Sequence, residues 1–224
     1  MESGDIFKKR KERKKRRKEF LKPKINSFLI VAEGKCTEPN YFLGIKRLIS
    51  KEVGGIIDIV EPPKIDIQGQ GVSTMKLVKQ TDKIVKNAKI MYQNIWLVFD
   101  RDEFQDFDAA IAAGERQGYN IAWSNQSFEY WIYLHFDYSD SALHRSDWEN
   151  KLDKLFKEEG LGNKQYQKNN SELFEILNNF DGPAKAIEHA KIRMRKYTKD
   201  SKPSDYDPGT TVYKLVENLL DYLN

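Results

Sequence analysis

The chain has almost none of the residues that crosslink or metal-staple a small domain. Among 224 residues there is one cysteine, Cys36, so no internal disulfide forms. The three histidines, His135, His144 and His189, are scattered, and with a single Cys they make no zinc cluster. Cys36 has no histidine near it in sequence to activate it as a thiol nucleophile. No uninterrupted apolar run approaches the roughly 18 residues that a membrane span needs. The N-terminus is densely charged where a secretory signal carries its apolar segment, so a cytoplasmic protein is expected. Neither a Walker A sequence nor a Rossmann glycine fingerprint is present, which argues against nucleotide hydrolysis. Internal repeats are absent too.

What the chain does hold is 39% hydrophobic and 32% charged residues, enough for one globular core, alone or with an appended lobe. Its net charge of +4 conceals an asymmetry. Residues 1–24 carry 12 Lys or Arg against 4 Asp or Glu, leaving 26 against 30 in the remainder. The protein therefore reads as a mildly acidic globule behind a basic arm, Lys8 to Phe20. An arm of this kind either neutralises nucleic-acid phosphates or is a solvated tail, and charge alone supplies affinity without chemistry.

After Pro23 the pattern turns to alternating strands and helices. The apolar run from Phe28 to Ala32 predicts a buried parallel strand that ends in a loop at Glu33. Pro39 suits a helix start, and Tyr41, Phe42, Ile45, Leu48 and Ile49 recur at helical spacing up to Gly54. A second strand is expected within Ile56 to Ile67, closed by Gly69, and a helix capped by Ser73 or Thr74 follows with Leu77, Val78, Ile84 and Val85 on its apolar face. Ile95 to Phe99 is the clearest strand and runs into Asp100. A helix over 106–117 and a short strand over 121–123 complete the alternation, which implies a parallel sheet with helices on both faces. From Phe128 onward the spacing is helical: 128–136, 147–159, 171–179, 183–197 and 211–223. The Ser-, Pro- and Asp-rich stretch 198–209 reads as an exposed loop. The organisation expected is an arm over 1–24, an α/β core over 25–136 and a helical C-terminal lobe over 137–224.

Loops that leave the C-terminal ends of parallel strands converge on one edge, and ligands bind there. Glu33 and the pair Asp100 and Asp102 follow two buried strands directly. Alternate residues of an extended segment share a side, so Asp100 and Asp102 reach one ion, with Glu33 facing them from a neighbouring strand. Carboxylates so gathered repel unless a cation neutralises them, and an all-oxygen set suits Mg²⁺ or Mn²⁺. Taken singly, a D-x-D pair is also what a helix cap or a solvated loop provides. Glu129 opens an apolar helix and either favours the helix dipole or joins the metal shell. The approach of that helix start to the carboxylate edge, after Asn125, favours the shell. Gly69, Gly71 and Ser73 either present backbone N–H groups to a phosphate or form a plain tight turn. Lys35, Lys168 and Asn125 are candidate substrate contacts, whereas His135, in an aromatic helix, reads as a packed core histidine.

The run Ile30-Val31-Ala32-Glu33-Gly34 with Trp96 to Asp102 resembles a Toprim domain, the metal-binding fold of topoisomerases, primases and nucleases. More closely, the chain resembles the RloB-like family of small Toprim proteins, on the segments Glu33 to Phe42, Gly69 to Gly71, Phe99 to Asp102, Ser124 to Trp131, Leu134 to Phe136, Tyr166 to Lys168 and Pro208 to Thr210. This resemblance implies a Toprim-like parallel sheet flanked by helices, Glu33 as acid or base, and Asp100 and Asp102 holding the metal. Glu38 is similar to the second glutamate of the EGxTE pattern in OLD-family Toprim nucleases, although this chain reads EGKCTE with one residue more. The family's association with bacterial defence loci and ABC-type ATPases implies a defence effector. The expectation is a Mg²⁺- or Mn²⁺-dependent nuclease acting on DNA or RNA, tRNA included. The alternative is a catalytically silent nucleic-acid-binding partner subunit of an ABC-type ATPase.

Overall fold

The computed structural model describes residues 24–54, 64–69, 74–101, 105–198 and 200–223. Five strands form one sheet: β1 (Lys24–Ala32), β2 (Lys64–Gly69), β3 (Tyr92–Asp100), β4 (Asn120–Asn125) and β5 (Gly209–Thr210), in the spatial order β2-β1-β3-β4-β5. The first four run parallel and β5 pairs antiparallel with β4. Eight α-helices are described: α1 (Thr37–Gly54), α2 (Thr74–Asn87), α3 (Phe107–Arg116), α4 (Phe128–Tyr133), α5 (Arg145–Glu158), α6 (Leu173–Phe180), α7 (Gly182–Met194) and α8 (Val212–Leu220). None of the described helices is long and apolar enough to cross a membrane.

The continuous apolar runs of β1 and β3 follow from burial on both faces. Phe28, Ile30, Ala32, Trp96 and Val98 join a core with α1 and with α4 through α8. Leu29, Val31, Leu97 and Phe99 point the other way, onto α2 and α3. This is the two-residue alternation of extended chain, here apolar on both sides because helices cover both. The helices after Phe136 share the first core rather than a separate one: Trp148, Leu152, Leu177 and Leu215 lie in it with Phe28 and Trp131. His135 is fully buried there, its Nε2 3.0 Å from the Tyr41 hydroxyl and its Nδ1 3.2 Å from the Trp131 carbonyl. Burial pushes its imidazole down to about 4.

The chain passes from β1 outward to β2 and then back to β3 on the opposite side of β1. Strand order thus reverses between β1 and β3, and a crevice opens beyond their C-terminal ends. That reversal positions the site.

Several boundaries differ from the sequence reading. β1 begins at Lys24, not Phe28, and β4 extends over Asn120–Asn125. The second strand occupies Lys64–Gly69, and residues 55–63, where its start was expected, lie outside the described residues. Helix α4 stops at Tyr133, after which Leu134 to Phe136 continue as a turn whose side chains stay buried. Of the stretch 198–209, expected as an exposed loop, the described residues 200–209 are exposed only in part. They form a strap over the end of β4, with Pro208 and Gly209 buried, because their backbone is hydrogen-bonded from below. The Ser204 carbonyl accepts from the Arg101 guanidinium and from Asn125 Nδ2 at 3.2 Å. The Ser204 N–H and hydroxyl donate to Asp108 at 2.9 and 2.6 Å.

Candidate functional site

Glu33 continues β1 by one residue, its N–H donating to the Val98 carbonyl at 2.9 Å. A short loop then leads into α1, whose first turn carries Glu38, only 7% exposed, and Pro39, where the missing N–H costs nothing. The Glu38 carboxylate folds back over Gly34. A Cβ on Gly34 would lie 2.2 and 2.6 Å from its two oxygens, so only glycine admits the carboxylate in this place. Behind the loop, a Cβ on Gly69 would lie 2.7 Å from the Gly34 carbonyl oxygen and 3.0 Å from Lys35 Cα. The end of β2 therefore approaches the loop as closely as backbone allows.

Asp100 ends β3. Its Oδ2 accepts the Phe128 N–H at 3.0 Å, while its Oδ1 is buried and has no hydrogen-bond partner among the described residues. Glu129 follows Phe128 in α4 and is 4% exposed. Its Oε1 accepts from the Tyr166 hydroxyl at 3.2 Å and lies 3.3 Å from Lys168 Nζ, which in turn sits 2.7 Å from Glu149.

These groups wall a single cleft of about 390 Å³, lined by Glu33, Glu38, Asp100, Glu129 and Ser127 together with the cations Lys35, Arg145 and Lys168. Its electrostatics follow from crowding carboxylates in a poorly hydrated space. Burial, then the charges of Glu38 and Glu129 and finally that of Glu33, hold the Asp100 carboxyl well above the usual range, against the Phe128 N–H that favours its ionised form. Burial also raises Glu38, helped by Glu129 and opposed by backbone N–H bonds and Lys168. Lys168 moves the other way from what burial alone would impose, because its bonds to Glu149 and Glu129 keep it protonated above its ordinary value.

Four carboxylates with an open acceptor on Asp100 are a hard oxygen set, the donor chemistry that a divalent cation of the Mg²⁺ kind takes. Among the described residues no group of three or more His, Cys, Asp or Glu is placed to hold a metal ion. A partial shell is what Mg²⁺ takes, since it binds through one or two carboxylates and keeps the rest for water and phosphate oxygens.

Of the residues picked out from sequence, the fold brings Glu33, Lys35, Glu38, Asp100, Glu129 and Lys168 to this cleft. Gly69 backs the loop without lining the cleft. Asn125 is fully buried at the end of β4 and spends its amide on the Ser204 carbonyl, away from the cleft. Asp102, Gly71 and Ser73 lie outside the described residues, as does the basic arm up to residue 23.

Ser127, Arg145, Glu149 and Tyr166 belong to the site without having been singled out. Ser127 is the most informative. It occupies the N-cap position of α4, where a serine ordinarily turns its hydroxyl to a backbone amide, yet it makes no such bond. The Tyr130 N–H, at N3, goes to the Ser127 carbonyl at 3.1 Å instead. The Ser127 hydroxyl is left 2% exposed on the cleft wall with no partner among the described residues. The sequence offered the capping residue, which points to a helix start and not to a ligand, and the family-like segment Ser124 to Trp131, which gave Ser127 no role. Arg145 and Glu149 arrive from α5 and Tyr166 from the loop after it, at distances in the chain that no spacing rule connects.

A model of the RloB-like protein family matches residues 28–219, and the chain belongs to that family. No curated protein matches it, and no solved structure does.

Proposed function

Taking RloB-like membership as the premise, we propose that the protein is a Mg²⁺- or Mn²⁺-dependent nuclease of Toprim type, hydrolysing phosphodiester bonds of DNA or RNA. The observation that carries this reading is the buried Asp100 carboxylate, open at Oδ1, facing Glu33, Glu38 and Glu129 in a cleft that also presents Lys35, Arg145 and Lys168. Acidic groups at the base would hold cations, and basic groups at the rim would hold a phosphate. A cation bound there would polarise the phosphoryl oxygen and lower the pKa of a water.

The chain's own residues supply the remainder. Asp100, Glu38 and Glu129 would be the ligands, with Asp102, outside the described residues, expected beside them from the sequence. Glu33, half-buried at the strand end, moves the proton. Lys35, Arg145 and Lys168 offset the charge that develops on the phosphate, and the Ser127 hydroxyl donates to one of its oxygens. We further propose, on the family resemblance and its association with defence loci, that this activity acts against foreign nucleic acid in the cytoplasm, beside an ABC-type ATPase.

A second reading, a silent nucleic-acid-binding subunit, is favoured by Glu129, whose Oε1 already has the Tyr166 hydroxyl and Lys168. Pure protein incubated with plasmid, single-stranded DNA and total tRNA, in Mn²⁺, Mg²⁺ or EDTA, tests the first reading. Cleavage in the metal lanes of at least one substrate, lost in Glu33→Gln, is expected. Metal binding without cleavage of any substrate would favour the silent subunit.

A further inference from the structure

Away from the cleft, α2 carries Lys76, Lys79, Lys83 and Lys86. At 3.6 residues per turn these four fall within an arc of about 80° and face away from Leu77, Val78 and Thr81. The structure bears this out: all four lysines are exposed, while Leu77, Val78 and Thr81 are buried and the two apolar residues pack under the sheet. Among the described residues none of the four has an ion-pair or hydrogen-bond partner. The one acid of the helix, Asp82, accepts the Tyr119 hydroxyl at 2.6 Å. The outer face of α2 is therefore a row of uncompensated positive charge, although like charges three and four residues apart weaken a helix.

We propose that this face binds the sugar-phosphate backbone of a nucleic acid. It extends the nucleic-acid reading of the cleft but does not depend on the cleft cutting anything. The ten helical steps from Lys76 to Lys86 rise about 15 Å, the length over which one strand of a duplex presents roughly four phosphates. The crossover from β2 to β3 runs α2 antiparallel to the strands, so its Lys76 end lies on the side of the sheet where Gly69 meets the cleft loop.

Other occupants fit less well. Protein interfaces are depleted in lysine and anchored by aromatics or Arg, and this row contains neither. A basic amphipathic helix binds membranes through its apolar face, and that of α2 is already covered by the sheet. Because phosphate contacts carry no base information, the row supplies affinity and orientation rather than sequence choice.

The test compares the full chain with a variant carrying Lys76→Gln, Lys79→Gln, Lys83→Gln and Lys86→Gln, and with one carrying Arg at the same positions. Binding is followed by fluorescence anisotropy in EDTA, so cleavage does not enter. The probes are a 30-nucleotide single-stranded DNA, the same sequence as RNA, its duplex DNA, and polyglutamate, each from low to high salt. If all four lysines neutralise phosphates, the slope of log affinity against log salt flattens by about 3 on single strands in the Gln variant and is retained in the Arg variant. The arms that lose slope identify DNA, RNA or both as the ligand. An unchanged slope on every nucleic acid would overturn the proposal, and so would a loss confined to polyglutamate. Circular dichroism melting confirms that the variants fold. Failure here leaves the Glu33→Gln cleavage test intact, and failure of cleavage leaves this binding test readable.

Discussion

Replacing Ser127 by alanine distinguishes a serine that holds a helix from one that faces a ligand, and the two roles move stability in opposite directions. A capping serine is worth about 0.5 to 2 kcal/mol, so its loss would lower the melting temperature. Here the Tyr130 amide, at the position a capping hydroxyl would reach, goes to the Ser127 carbonyl at 3.1 Å, and the buried Ser127 hydroxyl bonds to nothing among the described residues. A buried polar group left unsatisfied costs about 1 to 3 kcal/mol, and alanine removes that group without orphaning a donor. The lower end of that range raises the melting temperature by about 2 to 4 °C in a chain of this size. A lost hydrogen bond to a charged phosphate is worth about 1.5 to 3 kcal/mol, which becomes a fall of roughly 10- to 100-fold in kcat/KM. Scanning calorimetry in EDTA and cleavage kinetics in Mn²⁺, on the same preparations, read both quantities. A variant that melts at least 2 °C lower while cutting normally would refute the argument and return Ser127 to a capping role.

The Asp100 carboxyl is raised by burial and then by Glu38 and Glu129, so the folded state holds its proton more tightly than the unfolded chain, and stability falls as pH rises above the unfolded value near 3.8. Asp100→Asn removes that fall: its advantage in melting temperature over wild type, measured in EDTA, should widen from pH 4 to pH 7 and narrow when Mn²⁺ is added, whereas a constant difference would show that Asp100 is not strained. Gly34→Ala places a Cβ 2.2 Å from a Glu38 oxygen and must displace that carboxylate, so the stabilisation produced by saturating Mn²⁺ should shrink, and an undiminished shift would remove Glu38 from the metal set. Tyr41→Phe strips the hydroxyl 3.0 Å from His135 Nε2 and leaves a buried nitrogen unpaired, at about 1 to 3 kcal/mol in a denaturant titration, with metal binding unchanged because neither residue lines the cleft.

The parallel strands were legible because burial on both faces writes an unbroken apolar run, as Phe28 to Ala32 and Ile95 to Phe99 do. The convergence of Glu33 and Asp100 was legible for a topological reason, since loops leaving parallel strands share an edge. Glu38 was reached only through family resemblance, because nothing in its helical position distinguishes it from a surface acid until Gly34 is seen beneath it. The strap over 198–209 misled because Ser, Pro and Asp mark turns whether or not the backbone is covered. Its hydrogen bonds come from Arg101 and Asn125, which reach Ser204 from 103 and 79 residues away along the chain. β5, at two residues, is too short to show any periodicity.

The strap has a bearing on when the site can exist. Arg101, the neighbour of Asp100, is tied to the Ser204 carbonyl 103 residues later in the chain, and Glu129 meets Tyr166 37 residues on. A chain made from its N-terminus therefore exposes Asp100 long before Arg145, Lys168 and Ser204 have been synthesised. While tethered to the ribosome it carries the acids of the cleft and Lys35 without Arg145 and Lys168, and the strap that anchors the exit of β3 emerges later still. The order of the chain thus postpones the complete cleft until Lys168 has emerged, and its anchoring until Ser204 has.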